Sequence, residues 1–190
     1  MKLYGFFRSS AAFRVRIALN LKGLAYDGVY IHLRRNDQAK PDYRGVNPQS
    51  LVPTLEDGGE TLIQSLAIIE YLDEIHPDPP FLPQTPGERA RVRALADIVA
   101  CDIHPINNLR VLRYLSHSFG RSESDIAVWY NHWIEAGFQA LEALLFLAPW
   151  PSYRLLAISP SVRHTPRFCQ QFQVFEIIVA YHWTTPPAQA

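Results

Sequence analysis

The chain reads as an α/β domain followed by an all-helical one, and three observations carry that reading. An apolar run, a hydroxyl-bearing turn and an amphipathic helix follow one another before Gly23. A Gly-Gly turn joins two short apolar segments and leads into a second helix. Beyond a proline-dense stretch at 76–86 the texture changes to long helical patterns.

Taken in order, Leu3-Tyr4-Gly5-Phe6-Phe7 is a buried strand. Ser9 or Ser10 then caps a helix, because a serine oxygen accepts from the orphan amides of a first turn. Gly23 closes that helix, since glycine enters the left-handed region without a Cβ penalty. The β-rich stretch Val29-Tyr30-Ile31-His32-Leu33 is a second strand, and 34–44 is polar and irregular. Strand, helix and strand make a βαβ unit with a right-handed crossover. Pro53 opens a third strand, Asp57-Gly58-Gly59 turns it, and Thr61-Leu62-Ile63 is the fourth. Ser65 is expected to cap a helix over 66–75, with Ile68, Ile69 and Leu72 at helical spacing. The order is β-α-β, a link, then β-β-α, the arrangement of a thioredoxin-like domain.

The domain limits expected are 1–80, a semi-rigid linker at 81–86, and a helical domain at 87–147. Within the latter, 87–114 is one long helical pattern interrupted at Pro105. A second helix spans 123–147, with Ile126, Trp129, Trp133, Phe138, Leu141, Leu144 and Leu145 as its core face.

Composition narrows the function. Hydrophobic residues at 48% and charged residues at 19% describe a globular chain, and a formal net charge of zero leaves no electrostatic footprint for nucleic acid or an anionic membrane. Two cysteines, Cys101 and Cys169, are too few for a disulfide framework, and no Cys-x-x-Cys occurs. No secretory pattern or membrane-length apolar run appears, so a reduced cytoplasm is the expected compartment. Neither a metal-ligand spacing nor a phosphate loop is present.

The segment Ser9-Ser10-x-x-Phe13-Arg14-Val15-Arg16-Ile17-Ala18-Leu19 closely resembles the zeta class of glutathione transferases, a group that includes maleylacetoacetate and maleylpyruvate isomerases. Further matches are Asn47-Pro48-x-x-x-Val52-Pro53, Gln64-Ser65-x-Ala67-Ile68, and Asp102-Ile103-His104-Pro105-x-Asn107-Asn108-Leu109-Arg110. Ala11 stands where the class has cysteine and Phe13 where it has tryptophan.

The resemblance implies a thioredoxin-like domain joined to an all-α domain (the glutathione transferase fold), a homodimer, and glutathione as cofactor. It implies that Ser9, with Ser10 and Ala11 beside it, steadies the glutathione thiolate. Val52 would pair through its backbone with the cysteinyl group before a cis proline. Gln64 and Ser65 would hold the γ-glutamyl end, and Gln38 would touch the glycyl end. His104, Asn108, Leu109 and Arg110 match helical-domain positions of the site.

A thiolate that adds to a cis double bond conjugated with carbonyls leaves a single bond that rotates; elimination then returns the thiolate and the trans product. Lowering the thiol pKa is work for helix-start amides and a serine hydroxyl. A dianionic substrate needs arginine, whose guanidinium pairs with carboxylate; Arg8, Arg14 and Arg110 are the candidates, Arg8 first. Arg16 is a surface or interface residue, and His104 is available for proton movement. The function expected is conversion of maleylacetoacetate to fumarylacetoacetate in tyrosine and phenylalanine catabolism. The alternatives are a maleylpyruvate isomerase, a transferase acting on small electrophiles or α-haloacids, and an inactive glutathione-binding relic.

From 148 to 190 the class pattern is lost. Ser159-Pro160-Ser161-Val162-Arg163-His164 stands where a capping box is expected, with His164 in place of aspartate. Gln173 to Trp183 reads as strand. This composition points to a reading-frame change and an incomplete helical domain.

Overall fold

The computed structural model describes residues 1–147. The expectations for the tail at 148–190 therefore lie outside the described residues. Two compact units emerge, one comprising Met1–Thr85 and the other beginning at Pro86.

The first unit is a four-stranded sheet in the order β2-β1-β3-β4 with helices against it. Strand β1 (Lys2–Gly5) runs parallel to β2 (Asp27–Tyr30) and antiparallel to β3 (Thr54–Asp57), which pairs antiparallel with β4 (Glu60–Ile63). Parallel β1 and β2 require a crossover, and α1 (Ser10–Leu21) supplies it. Of the two serines, Ser9 is the cap: its Oγ accepts from the Ala12 amide at 3.2 Å. At the other end Gly23 has φ +66°, and the Gly23 and Leu24 amides donate to the Asn20 and Leu19 carbonyls, a Schellman closure. Two glycines with positive φ, Gly58 and Gly59, make the β3–β4 hairpin turn. The core is formed by Leu3, Val15, Leu19, Leu55, Ile68 and Leu72, and α1 packs on α3 (Ser65–Ile75).

Several expectations are corrected. β2 lies earlier than 29–33; Ile31 turns inward and His32 caps a 3₁₀ turn, its Nδ1 accepting from the Arg35 amide. The stretch 34–44 is not irregular throughout: it holds a second 3₁₀ turn and α2 (Pro41–Val46), which Pro41 opens at the position where a missing N–H costs nothing. Ser65 is not the cap of α3 but its first helical residue; Gln64 is the cap, with φ 69° and ψ 116°. Nor does the linker begin at Phe81. That side chain is buried, its amide donates to Asp73, and Lys22 Nζ sits 4.2 Å over its ring while bonding Asp73 Oδ1 and the Pro79 carbonyl. Proline density alone does not show that an aromatic returns to the core.

The second unit is helical through its described residues. α4 (Pro86–Asp97) runs into a π-helical turn, Ile98–Ile103, closed by the His104 amide on the Val99 carbonyl. Pro105 offers no amide to continue the ladder, so the pattern read over 87–114 breaks there and resumes as α5 (Leu109–Phe119). α6 (Glu123–Leu147) has the limits expected. Ser122 and Asp125 cap it reciprocally: Ser122 Oγ accepts from the Asp125 amide and Asp125 accepts from the Ser122 amide. Its buried face is Ile134, Phe138 and Leu141; Leu144, expected inside, is exposed, and Trp129 and Trp133 are half-buried. Trp129 instead uses its indole N–H on the Ile106 carbonyl, pinning the segment after the π turn.

Candidate active site

Sheet register determines which loops meet. Tyr4 of β1 pairs with Thr54 of β3, and Thr54 pairs with Ile63 of β4. Three segments therefore leave the sheet at one level: the turn Phe6–Ser9 after β1, the Val52-Pro53 dipeptide before β3, and Gln64-Ser65 after β4. The parallel partner Tyr30 sits opposite Gly5, so the 3₁₀ turns that carry Gln38 leave from the same end. The N-termini of α1 and α3 lie at this end too, each presenting the positive pole of its dipole.

At α1, the Ser9 lone pair is engaged by the Ala12 amide, which leaves its O–H to donate outward. Ser10 opens the helix and Ala11 lies half-buried in the first turn. At α3, Ser65 Oγ accepts a hydrogen bond of 3.1 Å from Arg14 Nη1. The serine proton is again free for another acceptor. A hydroxyl donor beside helix amides suits a thiolate at one position and a carboxylate at the other. The Val52-Pro53 bond is cis.

The arginines separate by exposure. Arg8 is exposed in the turn preceding Ser9. Arg14 is only 1% exposed and lies between α1 and α3, where its Nη1 donates to Ser65 Oγ and positions that hydroxyl. Arg16 donates to the Phe7 carbonyl and packs over the Phe13 ring, bracing the turn that carries Arg8. Gln38 bonds Asn36 within its own loop, and no described hydrogen bond joins it to Ser9 or Gln64.

A buried polar group not assigned from the sequence supports the Val52-Pro53 loop. Tyr43 hydroxyl and Asn47 Nδ2 both bond the Leu51 carbonyl and Thr54 Oγ1, and Asn47 Oδ1 accepts from the Gln49 amide. Burial holds the Tyr43 phenol above its ordinary pKa, against the opposing pull of its bonds to Thr54 and Asn47. The only hint in the sequence is the Asn47-Pro48 pair ahead of Val52-Pro53.

In the helical unit, His104 follows the π turn and Asn108 caps α5, its Oδ1 accepting from the Arg110 amide. That bond fixes the amide orientation, so Asn108 Nδ2 faces His104 Nε2 at 3.4 Å and the latter nitrogen is the acceptor. Leu109 and Arg110 are exposed at the helix start. Among the described residues no group of histidine, cysteine and carboxylate side chains is arranged to hold a metal.

Comparison with known proteins places this geometry. Residues 3–80 match the family model described as the glutathione S-transferase N-terminal domain. The chain is 53% identical over 149 residues to a maleylpyruvate isomerase of a Ralstonia species, covering 78% of this chain and 70% of that protein. It is 46% identical over 153 residues to the maleylacetoacetate isomerase of Pseudomonas aeruginosa, covering 79% of this chain and 72% of the relative. Among solved structures it resembles a maleylacetoacetate isomerase from Methylobacterium extorquens AM1 with bound malonate and glutathione: TM-score 0.79, 35% identity, and full coverage of both chains (100% of each).

Proposed function

The chain belongs to the zeta class of glutathione transferases, and we propose that it is a glutathione-dependent cis–trans isomerase of maleyl-keto acids, converting maleylacetoacetate to fumarylacetoacetate. The observation that carries this reading is the arrival of Ser9 and Gln64-Ser65, each at a helix N-terminus, at one end of the sheet. A tripeptide with a thiolate in its middle and a carboxylate at its γ-glutamyl end fits that donor set.

Glutathione, when bound, supplies the thiolate that adds to the substrate double bond and leaves again after rotation. The chain's own residues do the rest. The Ser9 hydroxyl and the first amides of α1 hold negative charge at sulfur and lower the thiol pKa. Ser65, oriented by Arg14, and the first amides of α3 hold the γ-glutamyl carboxylate. The Val52 backbone pairs with the cysteinyl group, and the bonds of Tyr43 and Asn47 to the Leu51 carbonyl brace its loop. Arg8 holds a carboxylate of the dianionic substrate and the charge that develops on its carbonyl oxygen. We take the enzyme to be a cytoplasmic homodimer; no described helix is long and apolar enough to cross a membrane.

The test is turnover by the purified protein with and without glutathione, on maleylacetoacetate and maleylpyruvate in parallel. Glutathione-dependent loss of the cis isomer is the expected result, and the faster substrate identifies the reaction. Absence of turnover in protein that binds glutathione would overturn the isomerase reading.

A further inference from the structure

We infer that Arg16 is a positioning residue for Arg8: it holds the peptide unit from which Arg8 departs, so that the Arg8 guanidinium meets a substrate carboxylate from a fixed root. The inference rests on the reading of Arg8 as a carboxylate-binding residue of the isomerase.

Arg8 sits where the chain gives it little support of its own. Phe6 to Ser9 is a four-residue turn closed by the Ser9 amide on the Phe6 carbonyl at 2.9 Å. Its two central residues, Phe7 and Arg8, are both exposed. The closing bond joins the ends of the turn and does not involve the central Phe7–Arg8 peptide. Arg16 does: its Nη2 donates to the Phe7 carbonyl at 3.2 Å. A peptide unit is planar, so the Phe7 carbonyl, the Arg8 nitrogen and the Arg8 Cα move together. Fixing the carbonyl therefore fixes the atom that carries the Arg8 side chain.

Arg16 is itself anchored. It lies on α1, which is held to the core by the buried Ala12, Val15, Ala18 and Leu19. Its guanidinium carbon stands 5.1 Å from the centroid of the Phe13 ring, one turn back on the same helix face. Its Nε is enclosed and has no hydrogen-bond partner among the described residues. An arginine with only a solvated role would turn that N–H to water, whereas Arg16 leaves it unpaired and keeps the bond to Phe7. The consequence for binding is orientational. Guanidinium and carboxylate pair well only when aligned, and a turn already fixed does not have to be ordered by the substrate.

The experiment is steady-state kinetics of the full chain on maleylacetoacetate at saturating glutathione, alongside calorimetric titration of glutathione. Arg16→Met should raise KM about fivefold and leave the glutathione Kd within about twofold of wild type. In an Arg8→Met background the same change should alter KM by less than about twofold, because the residue it acts through is gone. Arg16→Lys keeps a charged donor for a single carbonyl and should hold KM within about twofold of wild type. Thermal unfolding of each variant confirms that it is folded. An unchanged KM in Arg16→Met, an equal rise in the Arg8→Met background, or a parallel rise in the glutathione Kd overturns the positioning role. Wild-type protein that binds glutathione yet turns over no maleylacetoacetate overturns the isomerase reading and the inference with it.

Discussion

Gly137 lies mid-way along α6 with its Cα against Ile103, the last residue of the π turn that precedes His104. A methyl carbon built on Gly137 overlaps Ile103 Cγ1 and Cδ1 and stands 3.8 Å from its Cβ. Ile103 is 6% exposed, so its side chain has no solvent to swing into. Gly137→Ala therefore sets two effects against each other. Relief of glycine's backbone entropy in a helix stabilises by about 0.5–1 kcal/mol. Overpacking a filled contact costs about 1–3 kcal/mol. The second wins, and the variant should lose about 1–2 kcal/mol, a fall in Tm of about 2–4 °C for each kcal/mol at this chain length. The diagnostic is a double-mutant cycle read by denaturant unfolding. Ile103→Ala alone costs about 2–5 kcal/mol through its cavity. In that background the obstruction is gone, and Gly137→Ala should become stabilising by about 0.5–1 kcal/mol. The coupling is then about 1.5–3 kcal/mol. Stabilisation by Gly137→Ala in the wild-type background, or a coupling below about 0.5 kcal/mol, would refute the packing argument.

Three further outcomes follow from the same geometry. Arg14→Lys keeps the charge but not the guanidinium geometry, and should raise the glutathione Kd about tenfold. Arg8→Met should leave that Kd within about twofold and raise the KM for the dianionic substrate instead, so like effects of the two variants would refute their division of labour. For Tyr43, burial raises the folded-state pKa, so the folded state keeps its proton longer than the unfolded chain. The stability this provides is fully present below the unfolded value of about 10 and is lost as pH rises through the folded value. Equilibrium unfolding of wild type should weaken above about pH 10 more steeply than that of Tyr43→Phe, and parallel profiles would rule the phenol out as the source. Lys22→Met strands the Asp73 carboxylate in the core and should cost about 3–5 kcal/mol, whereas Lys22→Met with Asp73→Leu should cost less; chemical denaturation of both variants decides it.

Much of the fold was legible in the sequence because its signals are local. Ser9 reaches the Ala12 amide three residues on, Gly23 closes its own helix, and Gly58-Gly59 turns the chain within a hairpin. Pro105 interrupts a helical pattern by lacking an amide. The family motifs likewise carried Ser9, Gln64 and Ser65 as candidate ligand contacts. Local signals also misled where a neighbour outcompeted them. Ser65 looks like a helix cap, yet Arg14 draws its oxygen and Gln64 takes the cap position.

The sequence by itself determined the order of elements, the point at which the α/β part gives way to helices, and the class to which the chain belongs. These depend on periodicity, turn residues and short motifs, all of which act within a few residues. Only the tertiary structure decided that Arg14 supports Ser65 from inside while Arg8 stays exposed, since both arginines flank the same serines in sequence. It alone joined Gln49 to Gln64, returned Phe81 to the core under Lys22, and set Gly137 against Ile103. The physical reason is that hydrogen bonds, burial and close packing act between atoms near in space. Arg14 and Ser65 are separated by 51 positions, and the sheet register that makes them neighbours is a property of the folded chain.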